Sequence, residues 1–252
     1  MYEILSELGR LSSNFIGFLS VVLGCFAATA VFLLVVNPLH NYIKYYIADK
    51  SGDITVQNEG YLTMSHDLSF NWISFFSTLV LQMGFATPVI YEKTNFKKPK
   101  NTITYMALAG VGHYVCCSMV LLIIYSLLRY FGVFGVITAT VPPADAPIYV
   151  YLYQVFFATV YFLTRICINS AILNMIPIVP MDMGDVLYMA LNTYVADFFR
   201  NHQFFLSLVV IIIVFLTIGA PSGHIESLSS TIMRSAMTGY YVVFDWVASL
   251  FA

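Results

Sequence analysis

The sequence predicts an all-α integral membrane protein, a polytopic helix bundle of about five or six membrane segments with a small irregular or β-like insert at residues 50–70. Three observations point there. Of 252 residues, 60% are hydrophobic and 10% charged, whereas soluble domains carry about 25% charged residues. Several apolar runs reach the roughly 20 residues that a helix needs to cross the hydrocarbon layer. All six lysines (Lys44, Lys50, Lys93, Lys97, Lys98 and Lys100) fall in one stretch of the chain, and Lys/Arg excess marks the cytoplasmic side of a membrane.

The elements follow in order along a single membrane domain, residues 1–252. Asn14–Pro38 is the first span, and its helix continues to about residue 47. Polar residues 49–69 follow, with turn signals at Ser51-Gly52-Asp53 and Asn58-Glu59-Gly60. Tyr105–Tyr130 and Tyr149–Leu173 are the next clear spans, separated by the Pro/Ala loop from Val141 to Pro147. Residues 183–201 read as a shorter, partly polar helix, and Phe204–Ala220 as a further span. Ile232–Phe251 is either a last span or an interfacial helix, because Arg234 and Asp245 interrupt it.

The run Phe70–Val89 is apolar but broken by Asn71, Gln82 and Gly84. If it crosses the membrane, the lysines divide two and four between the sides. If it returns to the side it left, all six share one face. The positive-inside bias favours the re-entrant reading. It puts Lys93–Lys100 on the cytoplasmic side of a cell membrane, with Lys44 and Asp182 near that same side.

Composition also narrows the function classes. A net charge of −2 with no large basic cluster gives no reason to expect nucleic acid as a partner. The acidic start Met1-Tyr-Glu-Ile-Leu-Ser-Glu7 lacks the cationic region of a signal peptide, so the first apolar run is expected to be retained. Cys25, Cys116, Cys117 and Cys167 all lie inside apolar runs and read as small core residues.

Ionisable side chains at membrane depth are costly and mark functional sites. The stretch Asn174-Met-Ile-Pro-Ile-Val-Pro-Met-Asp182 ends an apolar helix with two prolines, Pro177 and Pro180, and delivers one carboxylate. The prolines release backbone carbonyls that a neighbouring helix or a protein-lined cavity must satisfy. The end of the first span reads Asn37-Pro-Leu-His40-Asn41-Tyr42-Ile43-Lys44. A helical His-Glu-x-x-His would bind zinc through its two imidazoles and use the glutamate as general base. Here only the first histidine is present.

Taken with the segments between them, these two stretches carry a resemblance. The order is Gly52-Asp53-Ile54-Thr55, Gly60-Tyr-Leu-Thr-Met-Ser65, Gly84-Phe-Ala-Thr-Pro-Val89, Asn95-Phe96 with Lys97-Lys-Pro99, Leu108-Ala-Gly-Val111, and the segment ending at Asp182. Over residues 20–190 the chain resembles the compact, PDZ-lacking branch of the site-2 protease family of intramembrane zinc metalloproteases. The resemblance implies a cavity in which a partly unwound transmembrane segment is bound and cleaved. It places His40 on the first zinc-ligand histidine and Asp182 on the zinc-ligand aspartate. Lys44 stands on the second histidine and Asn41 on the general base. Val179, Met183 and Val111 depart from the family pattern as well.

A catalytic zinc needs about three protein ligands and a water, and asparagine cannot take a proton from that water. The expectation is therefore a pseudoprotease with no catalytic residue and no cofactor. It retains His40 and Asp182 as vestigial ligands and binds a single-span membrane protein or peptide among Asn174, Pro177, Pro180, His113 and Arg165. Lys44 is expected to pair with Asp182. Two alternatives stand beside it. One is an active zinc protease with a redrawn ligand set of His40, Asp182 and His113 or a cysteine, since His113 and Cys117 have i, i+4 spacing. His66 is a further candidate ligand, whereas His202 and His224 read as interfacial. The other is an ion or small-solute pathway lined by Asp182, Lys44 and Arg165, with Arg165 drawn to Asp182, Asp185 or Asp197.

Overall fold

The computed structural model describes residues 15–64, 70, 72–84, 89–130, 147–178 and 181–191, with isolated positions beyond. Among these residues the protein is all helical with no strand. Helix α1 runs without a break through Phe15–Lys50, and α2 is the single turn Thr55–Asn58. Helix α3 is Trp72–Leu81, α4 is Pro99–Tyr130, α5 is Ile148–Asn174 and α6 is Asp182–Ala190. Among the described residues, three helices are long and apolar enough to cross a membrane: Phe15–Lys50, Pro99–Leu128 and Ile148–Asn174. The expected spans at 204–220 and 232–251 lie outside the described residues.

The face α1 turns to its neighbours is made of small side chains. Gly17, Ser20, Val21, Gly24, Cys25, Ala28 and Thr29 are buried at spacings of three and four, while Phe15, Ile16, Leu19, Leu23 and Phe26 are exposed. This inversion suits lipid. Large apolar residues gain nothing by leaving a solvent as apolar as themselves, whereas small ones let backbones approach closely. At Gly24 the approach is limiting, because a Cβ there would lie 2.5 Å from Ala158 Cβ and 2.9 Å from the Val155 carbonyl. Val21, Cys25, Ala28 and Phe32 then join Phe162, Ile166 and Cys167 of α5 and Tyr114 of α4 in the main apolar cluster.

Halfway along, α1 widens into a π-helical turn, Phe32–Val36. Pro38 supplies the reason: it has no N–H for the carbonyl four residues back, and its ring crowds that carbonyl. The Asn37 N–H accordingly reaches five residues back, to Phe32. The helix that continues, Asn37–Lys50, carries His40, Asn41 and Lys44 on its buried face.

Of its two expected forms, irregular or β-like, the insert shows the first. Its described residues form turns and the short α2, with no β structure. Asp53 is fully buried and organises it. Its carboxylate accepts from Thr55 N at 3.1 Å, Thr55 Oγ1 at 2.6 Å, Asn95 Nδ2 at 3.0 Å and Glu92 N at 2.8 Å. Side-chain bonds to nearby backbone offer the chain an alternative to a ladder, and here they tie the insert to the stretch before α4. Gly52, at φ +111°, sits against the Asn95 carbonyl, which a Cβ would approach to 3.0 Å.

The element α3 has 10 residues, a rise of about 15 Å, roughly half the hydrocarbon thickness. It stops at Gln82, which adopts φ 56°. Asn169 Nδ2 donates to the Gln82 carbonyl at 2.9 Å, and Gly84 N donates to Ser170 Oγ at 3.0 Å. This irregular backbone is therefore held inside the bundle, the setting in which non-helical chain is tolerated at membrane depth. The segments on either side of α3 pack into the same cluster. Tyr61 stacks on Tyr45 at 5.4 Å, and Val89 joins Tyr45, Ala48, Ile103 and Met106. The second long helix also starts earlier than expected, at Pro99 instead of Tyr105, because proline at the first helical position lacks only an N–H that would have no partner there.

Two outcomes test this description. Gly24→Ala is expected to cost about 1–3 kcal/mol through overpacking against α5, and Gly24→Leu more. Thermal unfolding in detergent reads both, and an unchanged midpoint for the leucine variant would contradict the packing. Burial would raise the Asp53 carboxyl, but its four hydrogen bonds outweigh that and hold it below the usual carboxylate range. A depressed folded pKa stabilises above the unfolded value of about 3.9 and is lost as pH falls through the folded one. Hydrogen exchange of residues 51–61 and 92–96 is thus expected to quicken below about pH 4, and Asp53→Asn to abolish that acid step.

Candidate functional site

The site forms where the second half of α1, the start of α6 and the middle of α4 meet. Helix α5 ends at Asn174, whose side chain turns back to donate to the Ser170 carbonyl at 2.8 Å. The chain leaves as an irregular stretch through Pro177, which is exposed, and re-enters helix at Asp182. Asn174 Oδ1 accepts from the Asp182 backbone N–H at 3.4 Å, so one asparagine couples the end of α5 to the start of α6. Pro180 lies outside the described residues. Asp182 and Asp185 occupy the first turn of α6, where the positive end of the helix dipole favours carboxylates.

Asp182 is 4% exposed and held by two groups from α1. Lys44 Nζ donates to Oδ1 at 2.5 Å, and His40 Nε2 donates to Oδ2 at 2.8 Å. Lys44 and His40 lie four residues apart on one face of α1, so both reach the same carboxylate. The His40 side chain is fully buried and that of Lys44 only 9% exposed. A carboxylate and an ammonium taken out of water cost several kcal/mol each unless paired and hydrogen-bonded. The pair meets that condition, and His40 fills the remaining oxygen. Asn41 faces the other imidazole nitrogen, with its Oδ1 3.2 Å from Nδ1.

Helix α4 supplies the wall. Tyr114 stacks on His40 with centroids 4.7 Å apart and donates to Asn37 Oδ1 at 3.1 Å. Gly110 lies one turn earlier. A Cβ there would overlap the Asp182 carboxylate and come within 2.7 Å of His40 Nε2, so the backbone of α4 itself closes the site. His113 Nε2 donates to the Val36 carbonyl at 3.0 Å, in the π-helical turn, and Cys117 Sγ lies 3.7 Å from the same ring. The sequence reading took Gly110 only as part of Leu108-Ala-Gly-Val111 and missed Tyr114. Their signal is the spacing of Gly110, His113, Tyr114 and Cys117, which puts all four on one face of a helix.

The arrangement does not fit a catalytic zinc. Both Asp182 oxygens are taken by hydrogen-bond donors, one of them an ammonium that would repel a dication. The His113 ring is 6.2 Å from His40 and directs Nε2 at a backbone carbonyl. No group of three His, Cys, Asp or Glu side chains placed to hold a metal occurs among the described residues. Arg165 places its guanidinium carbon 5.8 Å from the Tyr161 ring centre. Asp185 accepts from the Tyr91 hydroxyl at 2.8 Å, and exposed His202 is bonded to the Phe198 carbonyl. His66, Asp197 and His224 lie outside the described residues.

No protein-family model, curated protein or solved structure matches the chain.

Lys44→Met and Asp182→Asn each leave one charge or strong donor buried without its partner. Each is expected to destabilise by about 3–5 kcal/mol. The double variant should cost less than the sum, with a coupling of about 0.5–3 kcal/mol or more. Unfolding free energies of the four proteins in mixed micelles measure this. Strict additivity would show that the two groups do not interact.

Proposed function

We propose that this chain is a site-2 protease-like membrane protein without hydrolytic chemistry, which binds a transmembrane segment of a partner protein. The observation that carries the reading is the Lys44–Asp182 ion pair, completed by His40. Peptide hydrolysis at such a position needs a Lewis acid or a base to activate water. Here the carboxylate of Asp182 is neutralised by an ammonium, and Asn41, beside His40, is a carboxamide that neither takes up nor gives up a proton at neutral pH. The gathered residues stabilise each other and leave no nucleophile poised.

Support for a binding role comes from a second pair of buried side chains. Gln82 and Asn169 are 3% and 2% exposed, and Gln82 Nε2 and Asn169 Oδ1 are without a hydrogen-bond partner among the described residues. One is a donor and the other an acceptor, next to the irregular backbone of Gln82–Gly84. An unwound peptide segment offers the complementary C=O and N–H, and satisfying buried polar groups is strongly favoured over leaving them orphaned. The reading takes α3 as re-entrant, because both of its flanks pack at the lysine-rich end. It places that end on the cytoplasmic side of a cell membrane by the positive-inside rule, with the two C-terminal apolar runs completing a bundle of about five or six segments.

Metal content of the purified protein is the direct test, and zinc well below one per chain is expected. About one tightly held zinc per chain, lost in Asp182→Ala, would overturn the proposal in favour of an active protease. A photo-crosslinker at Met83 should capture a co-expressed single-span protein without cleaving it, and Asn169→Leu should abolish capture.

A further inference from the structure

The lysine-rich end carries a second feature, which the buried site does not use. Lys44 is neutralised by Asp182, but Lys50, Lys93, Lys97, Lys98 and Lys100 form no ion pair among the described residues. Four of these five are exposed, and Lys93 is half-buried. The carboxylates at this end have neutral partners instead. Asp53 is enclosed by its four hydrogen bonds. Asp49 accepts from Gln57, Glu59 from Tyr61, Glu92 from Thr94 and Asp185 from Tyr91. Opposite charges are thus present in similar number, yet the ammonium groups are left to face outward.

They are not scattered. Lys98 and Lys100, with Pro99, Asn101 and Met189, line an open groove of about 450 Å³ between the first turn of α4 and the end of α6. The first N–H groups of α4, a helix of 32 residues, open at the same place, and a helix N-terminus attracts anions. The aromatic setting marks the depth. Lys50 lies over Tyr46 at 5.5 Å and Lys93 over Tyr91 at 5.9 Å, while Tyr46 and Tyr105 are exposed. Tyrosines enriched in this way sit at the headgroup level of a bilayer. Two lysines bordering a largely apolar groove with proline and methionine, at headgroup depth, complement the chemistry of one amphipathic ligand.

We propose that this groove binds an anionic phospholipid, with its phosphate between Lys98 and Lys100 and an acyl chain against Pro99 and Met189. At about 1 kcal/mol for each lysine near a membrane surface, two together favour an anionic over a zwitterionic headgroup by about thirtyfold. The inference does not depend on whether the buried site is catalytic.

The test uses the full chain reconstituted in nanodiscs of mixed phosphatidylcholine and phosphatidylglycerol, with co-purifying lipid counted by native mass spectrometry. In wild-type protein the ratio of retained phosphatidylglycerol to phosphatidylcholine is expected to be about thirtyfold above the bulk ratio, and in K98Q/K100Q equal to it. K98R/K100R keeps the charge and should keep the enrichment, which separates lost recognition from lost folding. Three results would overturn the proposal. They are bulk-ratio lipid on wild-type protein, undiminished enrichment in the glutamine variant, and displacement of the lipid by excess inorganic phosphate, which would mark a site for the free anion.

Discussion

One buried carboxylate governs how the described helices meet. Asp182 sits at the first position of a short helix, away from water, and is tolerable there only because α1 presents Lys44 and His40 to its two oxygens. That requirement sets the rotation of α1, since both donors must lie on the face turned to α6. It also sets how closely α4 can approach, because the carboxylate and imidazole occupy the space a side chain at position 110 would need. Asn174 then fixes the carboxylate relative to the end of α5. Three long helices are thereby registered against a single charge.

Lipid explains why so much depends on polar contacts. In a bilayer, apolar side chains gain little by moving from acyl chains to protein, so orientation comes from packing of small residues and from polar groups that must find partners. The chain uses both devices at different depths. Gly17, Ser20, Gly24, Cys25 and Ala28 bring α1 against α5 in its first half. Past the π-helical turn at Phe32–Val36, packing gives way to the His40, Lys44 and Asp182 network. The turn itself ties the two regimes together, because the Val36 carbonyl within it receives the His113 hydrogen bond from α4.

Much of this was legible in the residues. The helical class followed from apolar runs long enough to cross a membrane, and the polar interruptions at Gln82 and Gly84 pointed to the place where the chain leaves helix. Meeting of Lys44 and Asp182 was inferable because an isolated buried carboxylate is too costly to stand alone. Whether the insert would be irregular or β-like was not legible, because Asp53 is satisfied by hydrogen bonds to turn backbone and to Asn95, a partner 42 residues away. Spacing put Gly110 on the face of His113 but could not show that its missing side chain mattered. A missing side chain matters only when a neighbour occupies its space, and that neighbour comes from another helix.

By itself, then, the sequence determined the membrane class, the small-residue face of α1 and the set of ionisable groups that had to be reconciled inside the bundle. These are properties of periodicity and of the free energy of single groups, both written locally in the chain. Tertiary structure alone decided which donors reach each oxygen of Asp182, that His113 turns to a backbone carbonyl, that Tyr114 and Gly110 wall the site, and that five ammonium groups at one end form no ion pair among the described residues. Those outcomes depend on distances between residues far apart in sequence. Such distances exist only once the helices have chosen their rotations and depths against one another.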